Sequence, residues 1–131
     1  MDVGGRTQVD HEVCVVRGGR MELEHLSRNA EEHHANPHTP DEWALSVAFG
    51  PDPAQIVADC PFITQHHYRW TSARRLVEAG FVLVEDEPPH ALLLLPGPVT
   101  AEMATELRSL FDQEEENPFY RERKSYGGRK R

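Results

Sequence analysis

The stretch TSARRLVEAGFVLVEDEPPHALLLLPG, residues 71–97, constrains the fold more than any other part of the chain. A helix-forming run meets Gly80, and the very next residue opens an apolar, β-branched run with the composition of a strand. Glycine closes a helix in the left-handed conformation without a Cβ penalty. Gly80 is therefore predicted just past the helix end with positive φ, with Leu76 and Phe81 touching across the stop. The helix is predicted over Thr71 to Ala79, with Thr71 as N-cap. Phe81 to Glu85 and His90 to Leu95 then read as two strands joined by the DEPP turn. Helical and strand spacing put Leu76, Val77, Phe81, Leu83, Leu92 and Leu94 in the core and Arg74 and Arg75 toward solvent.

The same punctuation recurs along the chain. His11 to Arg17, HEVCVVR, is a predicted strand closed by Gly18-Gly19. Arg20 to His34 reads as a helix, with Leu23, Leu26 and Ala30 at i, i+3, i+7. It stops ahead of Pro37, because the residue before a proline avoids the α region. After a loop over Ala35 to Glu42, Trp43 to Phe49 is a second strand. PDPAQIVADCP is a short helix with Asp52 as N-cap and Pro53 in the first helical position. Thr64 to Trp70 fits either a strand or the front of the next helix. Thr100 to Asp112 is the last helix, with Met103, Leu107, Leu110 and Phe111 on one face. This order implies a single α+β domain over residues 11–113. It would be a small mixed sheet with a β-hairpin in its C-terminal half and three or four helices packed on it. Residues 1–10 are expected to be a flexible N-terminus. Residues 114–131 are expected to be a disordered, acidic-then-basic tail, and from Gln113 onward the chain is expected to be dispensable for folding.

Composition narrows the function classes. The 131 residues suit one domain, and the longest apolar run, Ala91 to Leu95, has strand length. No membrane association is expected. The N-terminus lacks a basic segment followed by an apolar one, so no signal peptide is expected. Cys14 and Cys60 form no disulfide framework and read as small buried hydrophobes, in keeping with a cytoplasmic location. Charge is unevenly placed. Residues 120–131 carry a net +5, residues 1–119 a net −13, and the chain a net −8. Both lysines, Lys124 and Lys130, lie in the basic end. An acidic body repels phosphate backbones and attracts basic proteins.

Four constellations bear on chemistry. In RNAEEHHANPH, residues 28–38, His34 and His38 have a one-face helical spacing, but Pro37 between them forbids that helix. Adjacent His33 and His34 point about 100° apart on a helix. The stretch reads as a solvated helix end whose histidines suit the dipole, and neither a metal nor a cofactor is expected. The same residues, Arg28, Asn29 and His33, resemble the R-N-x-x-x-H signature of HEPN ribonucleases. That resemblance implies an all-helical fold, whereas strands flank the motif here. Arg17 at a strand end, Ser46 in a later strand and Glu85 at a further strand end resemble the arginine, serine and glutamate that grip NAD in ADP-ribosyltransferases. The resemblance implies catalytic roles for those three. If residues 64–79 form one helix, the element order resembles a winged helix-turn-helix domain. Arg69, Arg74, Arg75, His66 and His67, with the basic tail, would then meet nucleic acid. The acidic candidate wing, VEDEPPH, opposes that.

These readings converge on a small acidic cytoplasmic binding or regulatory protein, a binder rather than an enzyme. Its expected partner is a protein with a basic surface, in the manner of an antitoxin, immunity or adaptor protein. The alternatives are a winged-helix-like nucleic-acid binder and an ADP-ribosyltransferase-like enzyme acting on NAD.

Overall fold

In the computed structural model, which describes residues 2, 3 and 5–123, the valine run of the first predicted strand is β3 (Cys14–Gly18). It lies inside the sheet, and Val15 and Val16 are buried on its two opposite faces. Its neighbour β4 (Trp43–Gly50) likewise buries Ala44, Leu45, Val47 and Ala48. Near-continuous apolar sequence is what a strand covered on both sides requires.

Before β3 come the short strands β1 (Asp2–Val3) and β2 (Arg6–Thr7). Beyond it come α1 (Leu23–His34), β4, α2 (Pro53–Asp59), β5 (His67–Ser72), α3 (Ala73–Glu78), β6 (Val82–Glu85), β7 (His90–Leu95), α4 (Ala101–Leu110) and β8 (Gln113–Glu116). Six strands form one sheet in the order β6-β7-β4-β3-β5-β8. Every pairing is antiparallel, so the fold is α+β but the sheet is not mixed. On one face α1, α3 and α4 pack Leu26, Ala30, Leu76, Leu107 and Phe111 against Val15, Leu45, Leu83 and Leu93. On the other, α2 and the loop after it pack Ile56, Val57 and Ile63 against Val16, Ala48 and Tyr68. Among the described residues, no helix is long and apolar enough to cross a membrane.

The helix stop at Gly80 forms as expected. Gly80 has φ +99, its N–H reaches the Val77 carbonyl at 2.9 Å, and the Phe81 N–H reaches the Leu76 carbonyl at 3.0 Å. Those two bonds are the 5→2 and 6→1 pair of a Schellman motif. One open alternative is resolved and two expectations are corrected. Residues 67–72 are strand, pairing with β3 from Gly18↔Tyr68 to Cys14↔Ser72. The long apolar edge of β3 needs a partner, and tertiary pairing overrides the helical option. The helix consequently starts later than expected, and Ser72, not Thr71, is its N-cap, accepting the Arg75 N–H at 3.1 Å. In β7, Ala91, Leu93 and Leu95 face the main core. Leu92 is buried as expected, but in a small separate cluster with Ala44 and Val84, and Leu94 is only partly buried against that cluster. Four consecutive leucines carry no alternation to read.

Residues 8–9 and 113–123 are better anchored than expected. Val9 is a core residue whose N–H donates to the Leu83 carbonyl at 3.0 Å, and Gln8 bridges to Val84, so residues 8–9 cover the β6 edge. At the other end β8 pairs with β5 over four residues. Asn117 is buried, and a helical turn follows at 120–123. The basic end from Lys124 lies outside the described residues.

Candidate functional site

The pairing of β3 with β4 runs Cys14↔Gly50, Val15↔Phe49, Val16↔Ala48 and then stops. Two residues further on, that register would bring Gly18 opposite Ser46. Two side chains take over instead. Asn29 Oδ1 accepts the Ser46 N–H at 3.0 Å, and Arg17 Nη1 donates to the Ser46 carbonyl at 2.8 Å. Arg17 Nη1 also donates to Asn29 Oδ1 at 2.8 Å. An arginine from β3 and an asparagine from α1 thus satisfy the backbone groups that a missing strand pair would orphan.

Where the strands splay, a cleft of about 480 Å³ opens. Val16, Arg17 and Gly18 line it from β3, Ser46 to Ala48 from β4, and His25, Arg28, Asn29 and Glu32 from α1. Phe62, Ile63, Gln65 and His90 complete it. Gly18 leaves room for Gln65, since a Cβ there would lie 2.0 Å from Gln65 Oε1. Phe62 is 57% exposed, an unusual position for a phenyl ring, and its neighbour His90 is held by Asp86 at 2.8 Å. A second cavity of about 680 Å³ shares Arg17, Gly18, His25 and Gln65 with the first and extends to Arg20, His66 and His67.

The described arginines fall into those with and those without a carboxylate partner among the described residues, and Arg108, Arg121 and Arg123, outside the cleft, are among the latter. Arg6, Arg20, Arg69, Arg74 and Arg75 each pair with a carboxylate. Arg17 and Arg28 make no salt bridge among the described residues. Burial pushes the Arg17 guanidinium down to about 10, and its buried Nε donates to no described acceptor. A buried cation without a counter-ion is costly.

No protein-family model, curated protein or solved structure matches this chain.

The residues singled out in the sequence are placed as follows. Arg17 and Ser46 meet, but Ser46 offers its main chain. Glu85 pairs with Ala91, which pairs with Val47, so two strand spacings of about 4.8 Å separate it from the cleft wall, and it does not line the cleft. Arg69 donates to the carbonyls of Arg108 (3.3 Å) and Phe111 (3.0 Å) and pairs with Glu114 at 3.2 Å. Arg74 pairs with Glu12, and Arg75 with Asp112 at 3.0 Å. The helix that would have carried these arginines into a groove is half strand, and each guanidinium is already engaged. His33 bonds Glu42 at 2.9 Å, and the His34 ring stacks on Trp43 at 3.8 Å. Arg28 and His33 of the ribonuclease-like motif therefore do not share a site.

His25, Phe62 and Gln65 were not picked out by sequence reasoning, and Asn29 was picked out only within the ribonuclease-like motif, not as the residue that bonds Arg17 and Ser46. Asn29 left a signal. It falls with Leu26, Ala30 and His33 at i, i+3, i+4, i+7, a polar residue on the buried stripe of α1.

Proposed function

We propose that this chain is a small-molecule-binding protein whose β3–β4 cleft takes a ligand with an anionic head and an apolar body. The observation that carries this reading is Arg17, a half-buried guanidinium with a fully buried Nε and no carboxylate partner at a cleft wall. A purely structural arginine is served by its contacts to Asn29 and Ser46. Those neutral acceptors stabilise the cation but bring no counter-charge, and a carboxylate or phosphate supplies one. Arg28 adds a second unpaired cation, and His25 lies beside it. Phe62, Ile63, Val16 and Val47 offer an apolar wall, and the volume is in the range of small-molecule sites. Glu32 on the rim disfavours ligands of high negative charge.

Calorimetry and thermal melts with aryl carboxylates and aryl phosphates, each beside its neutral amide or alcohol, test the reading. Anionic members should raise the melting temperature, with about 2.7 kcal/mol of stabilisation at a hundredfold excess over Kd. Arg28→Ala should weaken binding roughly tenfold, as loss of about 1.4 kcal/mol does. Equal binding of charged and neutral analogues, or an Arg28→Ala variant that binds as well as the parent, overturns it.

A second reading keeps a protein partner with a basic surface. It is favoured by β8, a sheet edge whose four residues are all exposed and three of which are glutamates. An exposed strand edge with acidic side chains suits addition of a basic strand, although glutamates also serve to blunt such an edge. Cross-linking of Glu115→Lys against the parent in the presence of a basic peptide separates the two roles.

A further inference from the structure

We propose that His66, His67 and Glu116 form a binding site for a divalent transition metal of the zinc class. Each residue offers one ligand atom, and the three atoms lie within 4.8 Å of one another. Ligands bound at about 2.0–2.1 Å stand at most about 4.2 Å apart, so side-chain rotations on the order of 1 Å close the set. Two imidazoles and one carboxylate form a donor set suited to zinc, with a fourth position left for water or an exogenous ligand. His66 and His67 both line the larger cavity, the one that shares Arg17 with the β3–β4 cleft. The inference does not depend on what the cleft binds.

The backbone presents the three residues together. His67 opens β5 directly opposite Glu116 of β8. The His66 carbonyl accepts the Asn117 N–H at 2.8 Å. The buried Asn117 side chain acts as a clasp, its Nδ2 donating to the carbonyls of Ile63 (3.0 Å) and Gln65 (3.1 Å). The loop that carries His66 and the strand that carries Glu116 are thereby held in one geometry. The His66 ring also lies 4.5 Å from the Tyr120 ring and 4.3 Å from that of His67. Pre-ordered ligands lose less freedom on binding.

One neighbour opposes the ion. Arg20 Nη2 lies 3.2 Å from His67 Nε2, while Arg20 Nε is tied to Glu114 at 3.0 Å. The arginine is donor only, so Nε2 accepts in this state. An ion on Nε2 displaces Arg20. An ion on Nδ1 moves the ring proton to Nε2, which then no longer accepts. Either way metal binding costs the Arg20 contact, and Arg20→Ala should tighten it.

The test titrates the chelator-treated full chain with zinc by calorimetry and with cobalt(II) by visible absorption. One ion per chain is expected. Affinity should fall at least tenfold in His66→Ala and in Glu116→Gln, rise several-fold in Arg20→Ala, and stay unchanged in His38→Ala, a control in the loop after α1. Both ligand variants change exposed side chains, and thermal melts check that they fold. Should His66→Ala unfold, Glu116→Gln and the ring resonances of His66 and His67 on zinc addition decide. Absence of binding at tens of micromolar zinc overturns the proposal. So does affinity indifferent to Glu116→Gln, or lost equally in His38→Ala.

Discussion

Asn29 is where a single residue carries most of the local architecture. Its carboxamide oxygen accepts from both Ser46 N–H and Arg17, at the level where the sheet stops pairing. Asn29→Ala leaves a backbone donor unsatisfied and deprives the half-buried Arg17 guanidinium of one of its two acceptors. A loss of about 1–3 kcal/mol in urea unfolding is expected, well above that of an exposed α1 substitution such as Glu31→Ala. Glu42 is a second such residue. Its hydrogen bond to Arg6 holds its carboxyl below the usual carboxylate range, helped by His33 and opposed by burial. The folded value lies below the unfolded one. Its stabilising contribution is therefore complete above the ordinary carboxylate range and is lost as pH falls through the depressed folded value. Melting curves of Glu42→Gln against the parent should differ most at neutral pH and converge in acid. A gap that persists unchanged at pH 2 would show that the contact is steric.

At the level of elements, the α3 stop and the two arginines beside it make opposite predictions. A Cβ on Gly80 meets no atom within 4 Å, so only its φ of +99 resists substitution. Gly80→Val should cost about 1–2 kcal/mol or more from backbone strain alone, with no cavity or clash to add. Arg74 and Arg75 sit on the exposed side of α3 in pairs open to solvent. Replacing both with alanine should cost no more than about 1 kcal/mol per pair by chemical denaturation. Arg69 is different in kind. It ties the carbonyls at the end of α4 and the Glu114 carboxylate to β5. Arg69→Ala should exceed the double substitution in cost, and the reverse ranking would contradict this structural role.

Over the described residues, segments near both ends of the chain join the margins of the sheet. Residues 8–9 cover β6, and β8 extends β5. Asn117 and Arg123 reach back to the carbonyls of the loop after α2, with Arg123 Nη1 3.1 Å from both Cys60 O and Ile63 O. A chain ending at Asp112 would expose the β5 edge, the Ile56, Ile63 and Tyr68 cluster that Phe119 packs against and the carbonyls that Asn117 satisfies. Its melting temperature should fall by several degrees, since about 1 kcal/mol already shifts a domain of this size by roughly 2–8 °C. An unchanged melting temperature would return residues 113–123 to the status of a dispensable extension.

Local stereochemistry made part of this protein legible without coordinates. Gly80 could only end a helix, Pro53 and Asp52 could only begin one, and β-branched runs between glycines could only be strands, because each constraint acts within a few residues. That sufficed for the α+β class and for most element positions. What depends on partners distant in sequence was not legible. Residues 67–72 became strand because β3 offered an unpaired edge, and the acidic QEEE segment became β8 because β5 in turn offered another. The leucines of β7 could be assigned to faces only by the neighbours that cover them. The cleft lies furthest beyond the sequence. It exists because β3 and β4 part after Val16 and Ala48, and because Arg17 and Asn29, from a strand and a helix, converge on the main chain of Ser46. No spacing along the chain encodes that meeting, since its geometry is set by how α1 lies across the sheet.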